Sequence, residues 1–188
     1  KQHILKLPDT YVGDIDLQTE ELYVVSKNNE NIKIEKKEIN YVPGLYKIFD
    51  EILVNSVDHI SRLLYIKDKK DVENYVTKIK VTIENGKITI INDGDGIDLV
   101  KLKDGKYPPQ LIFGELLSST NYNEKQVKTI GGKNGYGAKL TNIFSKKFTV
   151  ETCDGKNIYK QTFYDNMTRK DEPTITKCKK KPYTMISY

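Results

Sequence analysis

Leu45-Tyr46-Lys47-Ile48-Phe49-Asp50-Glu51-Ile52-Leu53-Val54-Asn55-Ser56-Val57-Asp58-His59-Ile60-Ser61-Arg62-Leu63-Leu64 is the stretch from which the rest of the chain is read. Its apolar residues fall at Leu45, Ile48, Phe49, Ile52, Leu53, Val57, Ile60, Leu63 and Leu64. That is a 3.6-residue stripe held for about five turns, and it predicts a helix with one face in a core. Glu51 and Asn55 stand one turn apart, with Asp58 a further turn along, so a polar stripe runs beside the apolar one. Such pairs are commonly solvated surface. Here Ile52-Leu53-Val54 separates the two, where simple solvation is less comfortable, and a chemical role is open. A carboxylate can take a proton from an attacking water, and an amide oxygen one turn away can ligate Mg²⁺, which takes few protein ligands beside phosphate oxygens and water.

Outward from this helix the pattern changes period. Upstream, Leu22 to Ser26, the pair Asn28-Asn29 and the alternating Ile32 and Ile34 predict a hairpin, and Pro43-Gly44 punctuates the helix start. Downstream, Ile79, Val81 and Ile83 alternate, then Ile88 and Ile90, on either side of Asn85-Gly86, the pair that most favours a type I′ turn. Pro108-Pro109 opens a helical stretch through Leu117, and Ala138 to Phe144 reads as a short helix. The remainder predicts three strands, around Phe148 and Val150, Ile158 to Tyr164 and Tyr183 to Tyr188, with Lys177 to Pro182 as a turn.

Composition bounds the function classes. The 188 residues are 37% apolar and 30% charged, with a mean hydropathy of -0.59 and no apolar run near the roughly 20 residues a bilayer crossing needs, so a single water-soluble domain without a membrane partner is expected. No signal-peptide pattern opens the chain. It lacks an initiator Met and is expected to be cut from a longer protein. Cys153 and Cys178, with only His3 and His59 to help, make a zinc site or a disulfide framework a poor expectation and suit a reducing intracellular compartment. A net charge of +5 tolerates a polyanionic partner without forming the basic stripe of a dedicated nucleic-acid binder.

Three further motifs carry chemistry. Asn92-Asp93-Gly94-Asp95-Gly96 follows directly on a strand; it fails as a calcium loop because Ile91 or Thr89 stands where the first carboxylate belongs. It is either a plain turn, or a site where Asn92 meets a base edge and the glycines let backbone approach a ligand. Gly131-Gly132-Lys133-Asn134-Gly135-Tyr136-Gly137-Ala138-Lys139 is neither a P-loop nor a dinucleotide fingerprint, because Ala138 and Leu140 stand at the deciding positions. Its glycines and lysines leading into a helix fit a phosphate cradle and a flexible surface loop about equally. Ser119, Thr120 and Asn121 supply donors that could reach ribose or phosphate oxygens or simply end a helix. His59 reads as a satisfied polar neighbour, and the lysines from Lys177 to Lys181 as a solvated turn.

The order of these motifs resembles the ATPase superfamily shared by gyrase, heat-shock chaperones, histidine kinases and MutL. Within it, Pro8 to Gly13, Tyr41 to Asn55, Leu111 to Leu117 and Gly135 to Ser145 resemble eukaryotic-type DNA topoisomerase II over nearly the whole chain. The resemblance implies one GHKL ATPase domain over residues 1–188: a two-layer α/β (α+β) sandwich, with an eight-stranded, mixed and largely antiparallel sheet covered on one face by helices. It implies ATP and Mg²⁺ as ligands. Glu51 would be the general base, Asn55 the Mg²⁺ ligand and Asn92 the adenine contact. Ser119, Thr120 and Asn121 would be ribose and phosphate contacts, and Gly132, Lys133, Asn134, Gly135, Tyr136, Gly137, Ala138 and Lys139 the phosphate lid. Three positions depart from the family: His59 stands where Asn is usual, Thr120 replaces Ser, and Lys133 replaces Arg. The family's second domain, which supplies another Lys, the arm that pairs subunits and the DNA-cleaving tyrosine have no counterpart among these residues. In the full-length protein a homodimer acting on duplex DNA is implied, in a nucleus or a virus-infected host cell. The isolated fragment is expected to be monomeric and slow in turnover. The alternatives are a mismatch-repair or chaperone ATPase of the same superfamily, and a non-enzymatic basic DNA-binding module.

Overall fold

The computed structural model describes residues 1–28, 31–65, 74–116 and 136–188. It divides into two compact units, one of Gln2–Lys47 and one of Ile48–Tyr188 together with Lys1.

The first unit opens with two short helices, α1 (Gln2–Lys6) and α2 (Pro8–Tyr11), and continues into a hairpin of β1 (Gln18–Asn28) and β2 (Asn31–Tyr41). The hairpin keeps unbroken antiparallel register from Gln18↔Tyr41 to Asn28↔Asn31, longer at both ends than the apolar alternation indicated. Charged residues extend it: Glu21 pairs with Lys36, and Glu35 with Lys33 and Lys37. The long helix α3 (Pro43–Leu64) starts here, with Pro43 in the first turn and the Gly44 amide donating to the Asp14 carbonyl at 2.7 Å.

Most of α3 belongs to the second unit, and its buried line is Ile48, Ile52, Ser56 and Leu63. This is narrower than the apolar stripe in the sequence. Leu45, Val57 and Leu64 are exposed, because the helix turns Ser56 rather than Val57 inward, and the Ser56 hydroxyl lies 3.4 Å from the Ile52 carbonyl.

The sheet is built from β3 (Ile79–Glu84), β4 (Lys87–Asp93), β5 (Lys147–Cys153), β6 (Asn157–Tyr164), β7 (Arg169–Lys170), β8 (Thr174–Lys177) and β9 (Tyr183–Ser187). Its order is β3-β4-β9-β5-β6-β7, with β8 also on β6, so the last strand inserts between β4 and β5. The sheet is largely antiparallel as expected. Among the described residues it has seven strands and every pairing is antiparallel, where the resemblance implied eight and a mixed sheet. Five strands, not three, occupy the C-terminal third, and Lys177 ends β8 rather than opening a turn. The β3–β4 turn is as read: Asn85 (φ 51°) and Gly86 (φ 71°) are both left-handed, as type I′ requires.

Register sorts the sheet into rows. Ile90, Ile186, Val150 and Gln161 lie side by side across β4, β9, β5 and β6, all buried. Two further short helices pack against each other. α4 (Pro108–Gly114) brings Phe113 to 5.9 Å from the Phe148 ring, and Phe148 also meets Phe163 and Tyr188 at 6.3 Å. This helix ends at Gly114, short of Leu117, which lies outside the described residues; a side chain at Gly114 would collide with the Phe163 ring at 2.8 Å. The second, α5 (Gly137–Ile143), is tied by buried hydrogen bonds, Thr141 Oγ1 donating to the Ile48 carbonyl and Asn142 Nδ2 to the Phe113 carbonyl, both at 2.9 Å. The two thiols come together at 3.1 Å, Cys153 at the end of β5 and Cys178 just after β8, both unbridged. Among the described residues no helix is long and apolar enough to cross a membrane.

Candidate functional site

One side of α3 carries Glu51, Asn55 and His59 on successive turns, spanning about 12 Å of helix axis. Different partners meet its two ends. At the first, Gly137 opens α5 against the Glu51 carboxylate so closely that a Cβ added there would lie 1.8 Å from Oε2 and 2.6 Å from Cδ. Glu51 is half-buried; Asn55, a turn on, is exposed. At the other end the His59 ring, half-buried, approaches Asn92, whose Nδ2 lies 3.3 Å from His59 Nδ1. Asn92 is only 4% exposed although it stands at the end of β4.

The sheet explains why Asn92 points inward. It shares a face with Ile90, two residues earlier, and across the ladder it stands opposite Thr184 of β9, which in turn stands opposite Thr152 of β5. The apolar row Ile90-Ile186-Val150 thus gives way, one step along, to a polar row Asn92-Thr184-Thr152, with the two threonine hydroxyls 3.0 Å apart. Sequence reading missed Thr184: alternation gives its face, but nothing local pairs β9 with β4.

The turn after Asn92 is held by its neighbours. Burial alone would raise the Asp93 carboxyl, but hydrogen bonds from the Thr77 hydroxyl and from the Lys78 and Thr77 amides hold it below the usual carboxylate range. The two glycines answer to neighbours within the protein. A Cβ at Gly94 would lie 2.5 Å from Val76 Cγ2, and one at Gly96 would lie 1.9 Å from the Cys153 carbonyl oxygen, so both are demanded by the protein's own packing. Packing therefore requires glycine at both positions whether or not a ligand approaches their backbone.

Of the residues expected to form a lid, Gly132, Lys133, Asn134 and Gly135 lie outside the described residues, as do Ser119, Thr120 and Asn121. Tyr136 is exposed, and Ala138 and Lys139 are buried. Burial lowers the Lys139 ammonium, with the charge of Glu115 opposing the shift. His59 is pushed down to about 4, by burial first and by the Arg62 charge second, against an opposing pull from Asp95. The ring is therefore neutral at ordinary pH.

A magnesium ion carried by phosphates needs few protein ligands, and Asn55, one turn from Glu51, is one residue able to supply an oxygen. Among the described residues no three His, Cys, Asp or Glu side chains cluster into a protein cage, and Asn55 is exposed.

The family model of histidine kinase-, DNA gyrase B- and HSP90-like ATPases matches residues 40–168, and the chain belongs to this family. That places it among ATPases, and ATP binding is the coarse function this carries. It is 46% identical over 182 residues to DNA topoisomerase 2 of Arabidopsis thaliana, covering 95% of this chain and 12% of that protein. To DNA topoisomerase 2 of Acanthamoeba polyphaga mimivirus it is 44% identical over 193 residues, covering 100% of this chain and 15% of that one. The crystal structure of the ATPase region of Saccharomyces cerevisiae topoisomerase II superposes with a TM-score of 0.84 at 40% identity, over 99% of this chain and 48% of that one. The chain thus spans a small part of the curated relatives it matches.

Proposed function

We propose that the chain is the ATP-binding and ATP-hydrolysing domain of a type II DNA topoisomerase. What carries this reading is the single face of α3 on which Glu51 meets the start of α5 while, two turns on, His59 meets Asn92. One end suits phosphate hydrolysis and the other base recognition, with Asn55 between. The relatives favour this over a mismatch-repair or chaperone ATPase and over a non-enzymatic DNA-binding module.

In this reading Glu51 is the general base. Its carboxylate, confined by the backbone at Gly137, takes the proton of the water that attacks the terminal phosphorus. Placing that water is most of the task, because phosphoryl transfer is governed by positioning and by charge stabilisation. Asn55 would hold Mg²⁺, which when bound neutralises charge on the phosphates. Asn92 contacts adenine, Ser119, Thr120 and Asn121 contact ribose and phosphate, and Gly132 to Lys139 form the lid. Residues 1–188 act as one domain. In the longer protein, a homodimer uses nucleotide to close a gate on duplex DNA, in an intracellular setting that is nuclear or, for a viral source, within the infected cell.

Thermal melting with a non-hydrolysable ATP analogue and Mg²⁺ tests the assignment. The parent protein should gain several degrees. Glu51→Ala should keep that gain and lose turnover, whereas Asn55→Ala should lose the Mg²⁺-dependent part. Turnover by Glu51→Ala at the parent rate would remove Glu51 from the chemistry.

A further inference from the structure

Asn92 has two amide hydrogens, and both have places to go. Its Nδ2 lies 2.7 Å from the Asp93 carbonyl, which can only accept, so the atom facing it must be the nitrogen. The same Nδ2 lies 3.3 Å from His59 Nδ1. An amide nitrogen only donates, so Nδ1 must accept, and the ring proton belongs on Nε2. Burial and the charge of Arg62 keep the ring neutral, as the accepting role requires, although Asp95 pulls the other way. That tautomer leaves the buried Nε2 without a partner among the described residues, a costly arrangement for a residue that merely fills space. With both hydrogens engaged, what the Asn92 side chain has left to offer a ligand is the acceptor Oδ1.

We infer that His59 is a positioning residue for base specificity: by holding one amide hydrogen of Asn92, it turns Oδ1 toward the nucleotide, so the site selects a purine with an exocyclic amino donor over one with a carbonyl there. Adenine offers an amino group at this edge and guanine an oxygen. An amide free to flip would serve either; an amide pinned by Asp93 and His59 serves the first. This deepens the proposed function and rests on its reading of Asn92 as the base contact.

The chemistry names its own conservative variant. Asparagine carries Oδ1 on Cγ, where histidine carries Nδ1, so His59→Asn keeps an acceptor in the same place. Phenylalanine keeps the ring and loses the acceptor. The test compares affinities for non-hydrolysable ATP and GTP analogues with Mg²⁺, by calorimetry, for the unaltered protein, His59→Phe, His59→Asn and Asn92→Ala, with melting temperatures alongside. The unaltered protein and His59→Asn should prefer the adenine analogue, and His59→Phe should lose about tenfold or more of that preference while still melting cooperatively. An unchanged preference in His59→Phe, with preference lost in Asn92→Ala, overturns the role of His59 and leaves Asn92 as the base contact. Unaltered binding of both analogues by Asn92→Ala overturns that contact and this inference with it. Should His59→Phe not fold, the ¹⁵N spectrum of His59 in the unaltered protein decides: the Nε2-protonated tautomer is expected, and the Nδ1-protonated one refutes the arrangement.

Discussion

Replacing Gly137 by alanine tests the contact that is proposed to hold the general base. The new Cβ would lie 1.8 Å from Glu51 Oε2, 2.6 Å from Cδ and 3.1 Å from Cβ. A carbon and an oxygen settle at about 3.4 Å, so one partner must give by roughly 1.5 Å. The helix α5 is the stiffer of the two, since Thr141 and Asn142 tie it to the Ile48 and Phe113 carbonyls. The Glu51 carboxylate, at the end of a rotatable side chain, yields instead. Such a rotation costs about 1 kcal/mol, and alanine in a helix recovers up to about as much over glycine, so the melting temperature should move by only a few degrees. Activity should not be so forgiving, because a 1 Å error in a reacting group costs on the order of 100-fold. Steady-state phosphate release from ATP should therefore fall by about two orders of magnitude, while calorimetry shows the non-hydrolysable analogue still bound with Mg²⁺. Gly86→Ala is the companion variant: its φ of 71° strains an alanine, but nothing lies within 4 Å of the new Cβ, so it should lose about 1 kcal/mol of stability and no turnover. Turnover by Gly137→Ala within about threefold of the parent would refute Glu51 as a base held at this contact.

Gly96→Ala should behave in the opposite way, since its Cβ would meet Cys153 backbone, at 1.9 Å from the carbonyl oxygen, and nothing there can rotate clear; we expect a loss of about 3 kcal/mol or more and a melting temperature lower by roughly 10 °C, and an unchanged melt would refute the close packing. The His59 ring takes up its proton in the unfolded chain near pH 6.5 but in the folded protein only near 4, so stability is full above pH 6.5 and falls as pH drops toward 4. The shift would amount to about 3.4 kcal/mol, which solvent reaching part of the ring reduces to roughly 1 to 2. Denaturant titrations of His59→Asn should lose that part of the pH dependence, and an identical slope would refute it. Cys153 is buried, and its thiol is pushed up by burial and by its contact with Cys178, so a neutral-pH alkylating agent followed by peptide mass mapping should label half-buried Cys178 first; preferential labelling of Cys153 would contradict the burial.

How far the sequence could be read depends on the range of the interactions involved. Helix α3 and the Asn85-Gly86 turn were legible because their signals are local, a 3.6-residue period in one case and a pair tolerant of left-handed backbone in the other. Strands β7 and β8 were not, because two and four exposed residues carry no alternation to detect. The order of the sheet was hidden too, since β9 joins β4 and β5 through pairings remote in sequence. The proposed site divides the same way. Glu51, Asn55 and Asn92 are the motif residues on which the proposal rests, but the groups packed against them could not be named. A glycine at 137 says only that a side chain is unwelcome, and the carboxylate of Glu51 supplies the reason. Glycines at 94 and 96 send the same signal for a different reason, the packing of Val76 and of the Cys153 carbonyl. His59 looked like an ordinary polar neighbour until the fold set its Nδ1 against Asn92, which no spacing along one helix could have shown. Motifs identify the groups able to react; the contacts that orient those groups arise only when distant segments close on one another, and if the proposed site is right a variant of Gly137 or His59 should disable it with every recognisable residue intact.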